Sequence, residues 1–224
     1  MGEKGRKGLF LSFEGADGAG KSTQAALLKQ RLDNLGFKAA LTREPGGTPI
    51  GEAIRGILLN PDFKEMSISC EALLYSAARA QLVAQRIKPY LEEGFIVICD
   101  RYLDSSLVYQ GFAGGEDPGI IEKINLWATK ELLPDLTFLL DIETEEGFSR
   151  LKKGGKNAAS SRPIDRMEQK PPDFHLRVRQ GYLQLAADNP QRFYIIQAAD
   201  RPEAVHEKVW AKTLELLQSW EGER

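Results

Sequence analysis

The chain has 224 residues, of which 42% are hydrophobic and 28% charged, and its formal net charge is −2. This length suits one globular domain, or one domain with a mobile insertion. The near-neutral charge provides no global basic field for a nucleic-acid polymer, so phosphate recognition would depend on locally placed Lys and Arg side chains. A small ligand is the natural expectation.

Cysteines and apolar runs place further bounds on the protein. Cys70 and Cys99 lie far apart without a metal-ligand spacing, in segments that resemble core sequence, so we predict two buried, reduced side chains. The first eight residues are charged and glycine-rich, unlike a secretory signal. No apolar run approaches the length of a membrane span. We therefore expect, by default, a cytoplasmic protein that binds no membrane.

Five short apolar runs are predicted as β-strands, and the long segments between them show helical periodicity. The predicted strands are 9–13, 38–42, 95–99, 136–140 and 193–196, and the predicted helices are 22–35, 49–59, 69–93, 119–130, 144–152, 172–189 and 202–220. Nearly all-apolar strands that alternate with helices are typical of parallel sheets buried on both faces, with right-handed crossovers. The pattern predicts a three-layer α/β fold with a five-stranded parallel sheet and helices on both faces. Pro89 should end or kink the third helix, because it has no N–H to donate.

A phosphate-binding sequence follows the first strand and opens the first helix. Residues 15–22 read Gly-Ala-Asp-Gly-Ala-Gly-Lys-Ser, a complete G-x-x-x-x-G-K-[ST] motif. In such a loop the glycines let backbone N–H groups point at a phosphate chain, Lys21 reaches the β- and γ-phosphates, and the Ser22 hydroxyl holds Mg²⁺. This context favours a P-loop NTPase over a merely structural glycine-rich turn. The predicted ATP-binding residues are Gly15, Ala16, Asp17, Gly18, Ala19, Gly20, Lys21, Ser22 and Thr23.

Polar residues also follow other strands, at the edge where ligands bind in parallel sheets. Asp100 is placed to order Mg²⁺ or its waters, and Arg101 to grip a phosphate bidentately. The Pro-Gly-Gly sequence at 45–47 fits either close approach to a ligand or an ordinary turn. The small, polar and basic segment 153–166 fits a solvated loop or a mobile lid that closes over phosphates.

The chain resembles the bacterial thymidylate kinases, P-loop enzymes that use ATP to phosphorylate dTMP to dTDP in dTTP synthesis. The resemblance covers nearly the whole chain in the family's order. It is carried by residues 13–24, by Arg-Glu-Pro-Gly-Gly-Thr at 43–48, by residues 100–111 beginning Asp-Arg-Tyr, and by Asp-Arg-Met-Glu at 165–168.

The resemblance implies a role for each residue of the acceptor site. Arg101 and Arg55 would hold the dTMP phosphate, Tyr75 would stack on thymine, and Arg79 would bond a thymine carbonyl. The ring of Tyr109 would crowd a ribose 2′-hydroxyl, so selection of deoxyribose would be steric, and Asp17 would approach the acceptor sugar or the metal. The implied dTMP-binding set is Asp17, Arg55, Tyr75, Arg79, Arg101, Ser105, Ser106, Tyr109 and Gln110.

The resemblance also implies where the transition-state arginine lies. Some members of the family carry it in the P-loop and others in the lid. Here Gly18 follows Asp17, so the resemblance implies a lid arginine, either Arg162 or Arg166. With both candidates, the catalytic set is Lys21, Arg101, Asp17, Arg162 and Arg166. A homodimer through helix 69–93 is implied as well, and that helix has apolar surface for both a core and a partner.

The chemistry supports this assignment independently, because the dianionic phosphate of a nucleoside monophosphate needs charge neutralisation rather than a general base. His175 and His206 lie away from the motifs, and we interpret them as surface or packing residues. A deoxynucleoside kinase would instead need a carboxylate base, and Glu44 or Asp100 could serve as one. A nucleotide-dependent switch or binding module and a non-catalytic relative are two more functions that a P-loop chain can have.

Overall fold

A computed structural model of the chain describes residues 8–157 and 165–222, except for the side chains of 152–157 and 221–222. It contains a five-stranded sheet in the order β2-β3-β1-β4-β5. All neighbouring strands are parallel; Leu9 lies opposite Ile96, and Leu11 opposite Leu136. The strands are β1 Leu9–Glu14, β2 Ala39–Arg43, β3 Ile96–Asp100, β4 Leu136–Asp141 and β5 Phe193–Gln197.

The predicted fold class is confirmed, and the strands deviate from prediction in one consistent way. Each strand ends one residue later than its apolar run, on a polar or charged side chain. A criterion based on apolar runs stops before such a residue, although the backbone pairing continues through it. The terminal residues Glu14, Arg43, Asp100, Asp141 and Gln197 therefore all lie at the carboxyl edge of the sheet.

Helices cover both faces of the sheet. They are α1 Lys21–Asn34, α2 Pro49–Leu59, α3 Ile68–Leu82, α4 Lys88–Glu92, α5 Leu103–Ser106, α6 Pro118–Thr129, α7 Thr144–Asn157, α8 Pro172–Asp188 and α9 Pro202–Gly222. Two of them differ clearly from prediction. Residues 103–112, expected to be part of a polar segment after β3, form α5 and a π-helical turn, Leu107–Phe112. Helix α7 continues to Asn157, past the expected start of the lid at 153. The rest of the predicted lid, 158–164, lies outside the described residues.

The long helix predicted over 69–93 is interrupted by a π-helical segment, Val83–Ile87, between α3 and α4. Pro89 lies in the first turn of α4 and has no N–H for the preceding turn. The N–H of Lys88 bonds the carbonyl of Val83, five residues back, so the helix widens where the proline removes a donor. The kink expected from Pro89 therefore takes the form of a π-turn.

The core has two parts, one on each face of the sheet. Leu11, Phe13 and Phe138 pack towards α1 and α9, whereas Phe10 and Val97 pack towards α3 and α8. Alternate residues of β1 point to opposite faces, as the pleat requires.

The two histidines and one of the two cysteines are buried. The burial of His175 and His206 agrees with a packing role and not with a surface position. Cys99 is buried as expected, but the prediction for Cys70 is wrong. Cys70 is exposed because it lies on the outer side of the first turn of α3.

Truncation of Phe138 tests the core behind the P-loop. Its ring is fully buried and stacks on Phe13 with centroids 5.0 Å apart. We expect Phe138→Ala to lower the free energy of unfolding by about 3–5 kcal/mol, measured by urea denaturation. The matched control Ile195→Ala, at a half-exposed position on the edge strand β5, should cost under about 1 kcal/mol. Equal losses in the two variants would contradict this assignment of the core.

Candidate active site

A cleft of about 1870 Å³ opens at the carboxyl edge of the sheet. This volume exceeds the roughly 300–1,000 Å³ of a typical single-ligand pocket, so it has room for two ligands. Most of the predicted site residues line it. They are Asp17, Gly18, Ala19, Gly20, Lys21, Ser22, Thr23, Arg55, Tyr75, Arg79, Asp100, Arg101, Ser105, Ser106, Tyr109 and Gln110.

The P-loop is packed so closely that two of its glycines have no room for a side chain. Gly15 has a φ of 136°, and a Cβ there would lie 2.4 Å from the Leu140 carbonyl oxygen. Gly18 has a φ of 80°, and its Cβ would lie 2.2 Å from the carbonyl oxygen of Gly147 in the first half of α7. Both positions therefore need glycine for conformation and for space. An arginine at position 18 would not fit this packing.

Lys21 lies under the loop at the start of α1. Its ammonium donates to the carbonyls of Gly15 and Ala16, at 3.0 and 2.7 Å, and the side chain is buried. Burial, followed by the positive charge of Arg101, lowers the pKa of Lys21 to about 8. A bound polyphosphate would oppose both effects and stabilise the charged form.

Two oxygen ligands suitable for a divalent cation lie side by side. The Ser22 hydroxyl donates a short hydrogen bond to the carboxylate of Asp100 at the end of β3. Hydroxyl and carboxylate oxygens are the donors that Mg²⁺ prefers, and Mg²⁺ is usually bound by few protein groups together with water and substrate phosphates. The described residues contain no group of three or more His, Cys, Asp or Glu placed to hold a metal. The pair fits Mg²⁺ bound mainly through ATP.

Arg101 is the most heavily bonded side chain of the cleft. Its backbone is left-handed, with a φ of 68°, which is uncommon for a residue other than glycine. The guanidinium pairs with Asp17 of the P-loop at 2.5 Å, and its carbon lies 5.1 Å from the centroid of the Tyr109 ring. Its other hydrogen-bond partners, each at 3.2 Å, are the Gly15 carbonyl and the hydroxyls of Ser105, Tyr109 and Tyr182.

Charges in this cluster are mutually stabilised. Burial alone would raise the pKa of Asp17, but Arg101 and Lys21 outweigh it, and the pKa is lowered. Burial opposes the charge of Arg101, yet Tyr109 and Asp17 raise its pKa well above the usual value. Both groups are therefore ionised at neutral pH, with the carboxylate placed against the guanidinium.

Glu14 supports the same cluster from below and was missed as a functional residue, although it lies within the quoted motif. It is fully buried at the end of β1 and accepts from the Tyr102 N–H and from the hydroxyls of Ser105 and Tyr182, each at 2.7 Å. Both hydroxyls also contact Arg101. Burial, followed by the Asp104 carboxylate, raises the pKa of Glu14. The signal available in the sequence was a charged residue ending an otherwise apolar run.

The other two arginines of the predicted acceptor site lie on separate walls. Arg55, on α2, donates to the Pro45 carbonyl at 2.9 Å and is half-buried. Arg79, on α3, is almost fully buried. It pairs with Glu44 at 2.6 Å and donates to Asn125 Oδ1, also at 2.6 Å. Arg79 thus borders the cleft while protein groups hold most of its guanidinium.

The two predicted lid arginines have different outcomes. Arg162 lies outside the described residues. Arg166 is buried, and it pairs with Glu71 of α3 at 2.5 Å and donates to the Leu58 carbonyl at 3.0 Å. Its guanidinium is therefore held among α2 and α3, and it is not among the residues that line the cleft. Glu71 also accepts a hydrogen bond of 2.7 Å from Gln110.

Comparison with known proteins agrees with this geometry. The family model for thymidylate kinase matches residues 13–209. The chain belongs to the thymidylate kinase family. It is 46% identical to a thymidylate kinase of Pelotomaculum thermopropionicum over 96% of each chain, and 44% identical to one of Exiguobacterium sp. over 94% of this chain and 96% of that one. The crystal structure of thymidylate kinase from Ehrlichia chaffeensis is similar, with a TM-score of 0.74 and 31% identity, over 92% of this chain and 98% of that chain.

Membership of the family makes the chain a nucleotide-binding kinase of nucleotide biosynthesis, an enzyme that phosphorylates dTMP with ATP as the phosphate donor. The switch and the deoxynucleoside kinase of the sequence analysis are thereby displaced. None of the described helices has the length and hydropathy needed to traverse a bilayer.

Lys21 makes ATP binding depend on pH. Because its pKa in the free protein is about 8, most of the side chain is neutral at pH 9, and binding of the polyphosphate must return the proton. We expect calorimetry of ATP with Mg²⁺ at pH 9, in two buffers of different ionisation enthalpy, to show uptake of nearly one proton. The uptake should disappear in Lys21→Arg, since a guanidinium stays charged. Binding by the unaltered protein without proton uptake would contradict the lowered pKa.

Proposed function

We propose that this cleft transfers the γ-phosphoryl group of ATP to dTMP between the P-loop and Arg101. The single observation that carries the proposal is the Arg101–Asp17 contact of 2.5 Å, because it places a permanent cation next to the phosphate-binding loop. The P-loop N–H groups and Lys21 bind the donor phosphates, with Thr23 at the start of α1 beside them. Ser22 and Asp100 hold Mg²⁺, which supplies charge neutralisation on the phosphate oxygens.

Arg101 and Arg55 bind the acceptor phosphate, for which their guanidinium forks are suited. The acceptor phosphate displaces part of the protein partners of Arg101, and Asp17 turns towards the sugar or the metal. Tyr75 and Arg79 contact the base, with Ser105, Ser106 and Gln110 around it. The buried ring of Tyr109, held between Arg101 and Phe174, fills the space that a 2′-hydroxyl would need.

The transition-state arginine is proposed to be Arg162. Two observations support this choice. Position 18 has no room for a side chain, and the guanidinium of Arg166 is engaged by Glu71 and the Leu58 carbonyl. Arg162 therefore neutralises the charge on the transferring group, together with Lys21 and Arg101.

The cellular setting follows from the same chemistry. We propose that the whole chain, residues 1–224, forms one kinase domain that works in the cytoplasm. Its two free cysteines, one of them exposed, suit a reducing compartment. The substrates are ATP and dTMP, and no nucleic-acid polymer is needed as a partner.

The acceptor specificity is tested by measuring ADP release from ATP and Mg²⁺ with dTMP, dUMP, UMP, dCMP or thymidine. We expect strong stimulation by dTMP, weaker stimulation by dUMP, and little by UMP or thymidine. Tyr109→Ala should raise the rate with UMP relative to dUMP at least about tenfold, since it removes the steric filter. Stimulation by thymidine but not by dTMP would refute an acceptor site built for phosphate.

A homodimer through α3 is proposed for the assembled enzyme. Leu73 and Ala77 are exposed one turn apart on α3, and Ile120 and Trp127 are exposed on α6, which packs beside it. Trp127 is 74% exposed, and apolar surface of this kind marks association sites. Small residues such as Ala77 allow a second helix to approach closely.

The dimer is tested by light scattering coupled to size-exclusion chromatography. We expect twice the mass of one chain for the unaltered protein and a single-chain mass for Leu73→Arg, because a buried unpaired guanidinium is costly. The matched control Leu214→Arg, at a similarly exposed position on α9, should remain dimeric. A monomeric mass for the unaltered protein at micromolar concentration would disprove the interface.

A further inference from the structure

A buried chain of polar contacts links the base side of the cleft to the residue that follows the lid. Gln110 donates from its amide nitrogen to Oε1 of Glu71 at 2.7 Å, and Oε2 of Glu71 pairs with Arg166 at 2.5 Å. Arg166 is in turn held by the Leu58 carbonyl. All three side chains are at most 6% exposed, and Gln110 lines the cleft.

The chemistry of this chain fixes the orientation of the Gln110 amide. A glutamine side chain has an acceptor oxygen and a donor nitrogen, and it can rotate to exchange them. An ionised carboxylate only accepts, and a guanidinium only donates. Arg166 holds the Glu71 carboxylate in its charged form, so Gln110 must turn its NH₂ group towards Glu71 and cannot turn its oxygen there without placing two acceptors together.

The fixed amide can read the edge of a base. With Nε2 bound to Glu71, Oε1 remains as an acceptor, and the second Nε2 proton remains as a donor. This pair complements adjacent N–H and C=O groups, which thymine presents at N3 and O4. Cytosine presents the opposite pattern, an acceptor at N3 and a donor at N4, and would be paired only by a rotated amide.

We infer that Glu71 and Arg166 are positioning residues that lock the Gln110 amide for an N–H/C=O base edge and thereby exclude dCMP as an acceptor. The inference rests on the proposed placement of the base beside Gln110. It also assigns Arg166 a function other than catalysis, since the residue acts through Glu71 and not on the phosphates.

The substitution Glu71→Gln should invert the lock rather than only weaken it. Arg166 still requires an acceptor, so the introduced amide turns its oxygen to Arg166 and its NH₂ to Gln110. Gln110 must then present its oxygen to that NH₂ group and its own NH₂ to the base. We expect kcat/KM for dTMP to fall at least about tenfold, mainly through KM, while the ratio of dTMP to dCMP efficiencies falls further.

Two further variants distinguish a failure of the lock from a failure of the base placement. Asp104→Asn breaks another fully buried ion pair, with Arg192, and should lower thermal stability without changing the dTMP-to-dCMP ratio. Gln110→Leu should abolish the preference by removing the reader. An unchanged ratio in Gln110→Leu would refute the proposed base placement. A changed ratio in Gln110→Leu with an unchanged ratio in Glu71→Gln would refute the lock itself.

A measurement on the unaltered protein keeps the inference testable if Glu71→Gln fails to fold. In ¹⁵N-resolved spectra, the side-chain NH₂ of Gln110, assigned by its loss in Gln110→Leu, should have one proton protected from solvent exchange before any nucleotide is added. Addition of dTMP should protect the second proton. Two rapidly exchanging protons in the free protein would overturn the lock.

Discussion

The need to hold several charges in a partly buried cleft without leaving any of them uncompensated shapes this active site. Parallel strands deliver charged residues to one edge of the sheet, where burial would normally discharge them. Each is therefore paired, Arg101 with Asp17, Arg79 with Glu44 and Arg166 with Glu71. Removing one member of such a pair leaves the other buried and unpaired, which costs more than the pair contributes.

The pairing also explains how the free protein is ready for phosphates. Lys21 and Arg101 are held by backbone carbonyls, hydroxyls and one carboxylate rather than by tight salt bridges on every side. An incoming phosphate replaces these partners with a stronger charge. Preorganised donors of this kind lose little on binding and stabilise charge that develops in the transition state. Glu14 contributes indirectly, since its carboxylate orients the hydroxyls of Ser105 and Tyr182 that contact Arg101.

Local patterns determined most of the fold and the donor site. The apolar runs located all five strands, and the P-loop sequence located Lys21 and Ser22, because those features depend on neighbours along the chain. Glu71 could not be found in this way. It looks like an ordinary helix residue, and its role depends on Gln110, 39 residues away, and on Arg166, which is further still along the chain. The π-turn at Leu107–Phe112 escaped for a similar reason, since no periodicity marks it.

The account depends most on Arg101 as the cation that binds the acceptor phosphate, and comparing two ligands that differ only in that phosphate tests it directly. Calorimetric affinities of dTMP and thymidine would be measured for the unaltered protein and for Arg101→Gln. The account predicts that dTMP binding weakens at least about thirtyfold, as expected for lost charge-assisted bonds, while thymidine binding changes less than about threefold. Equal weakening of both ligands would show that Arg101 maintains the shape of the cleft and does not bind the phosphate.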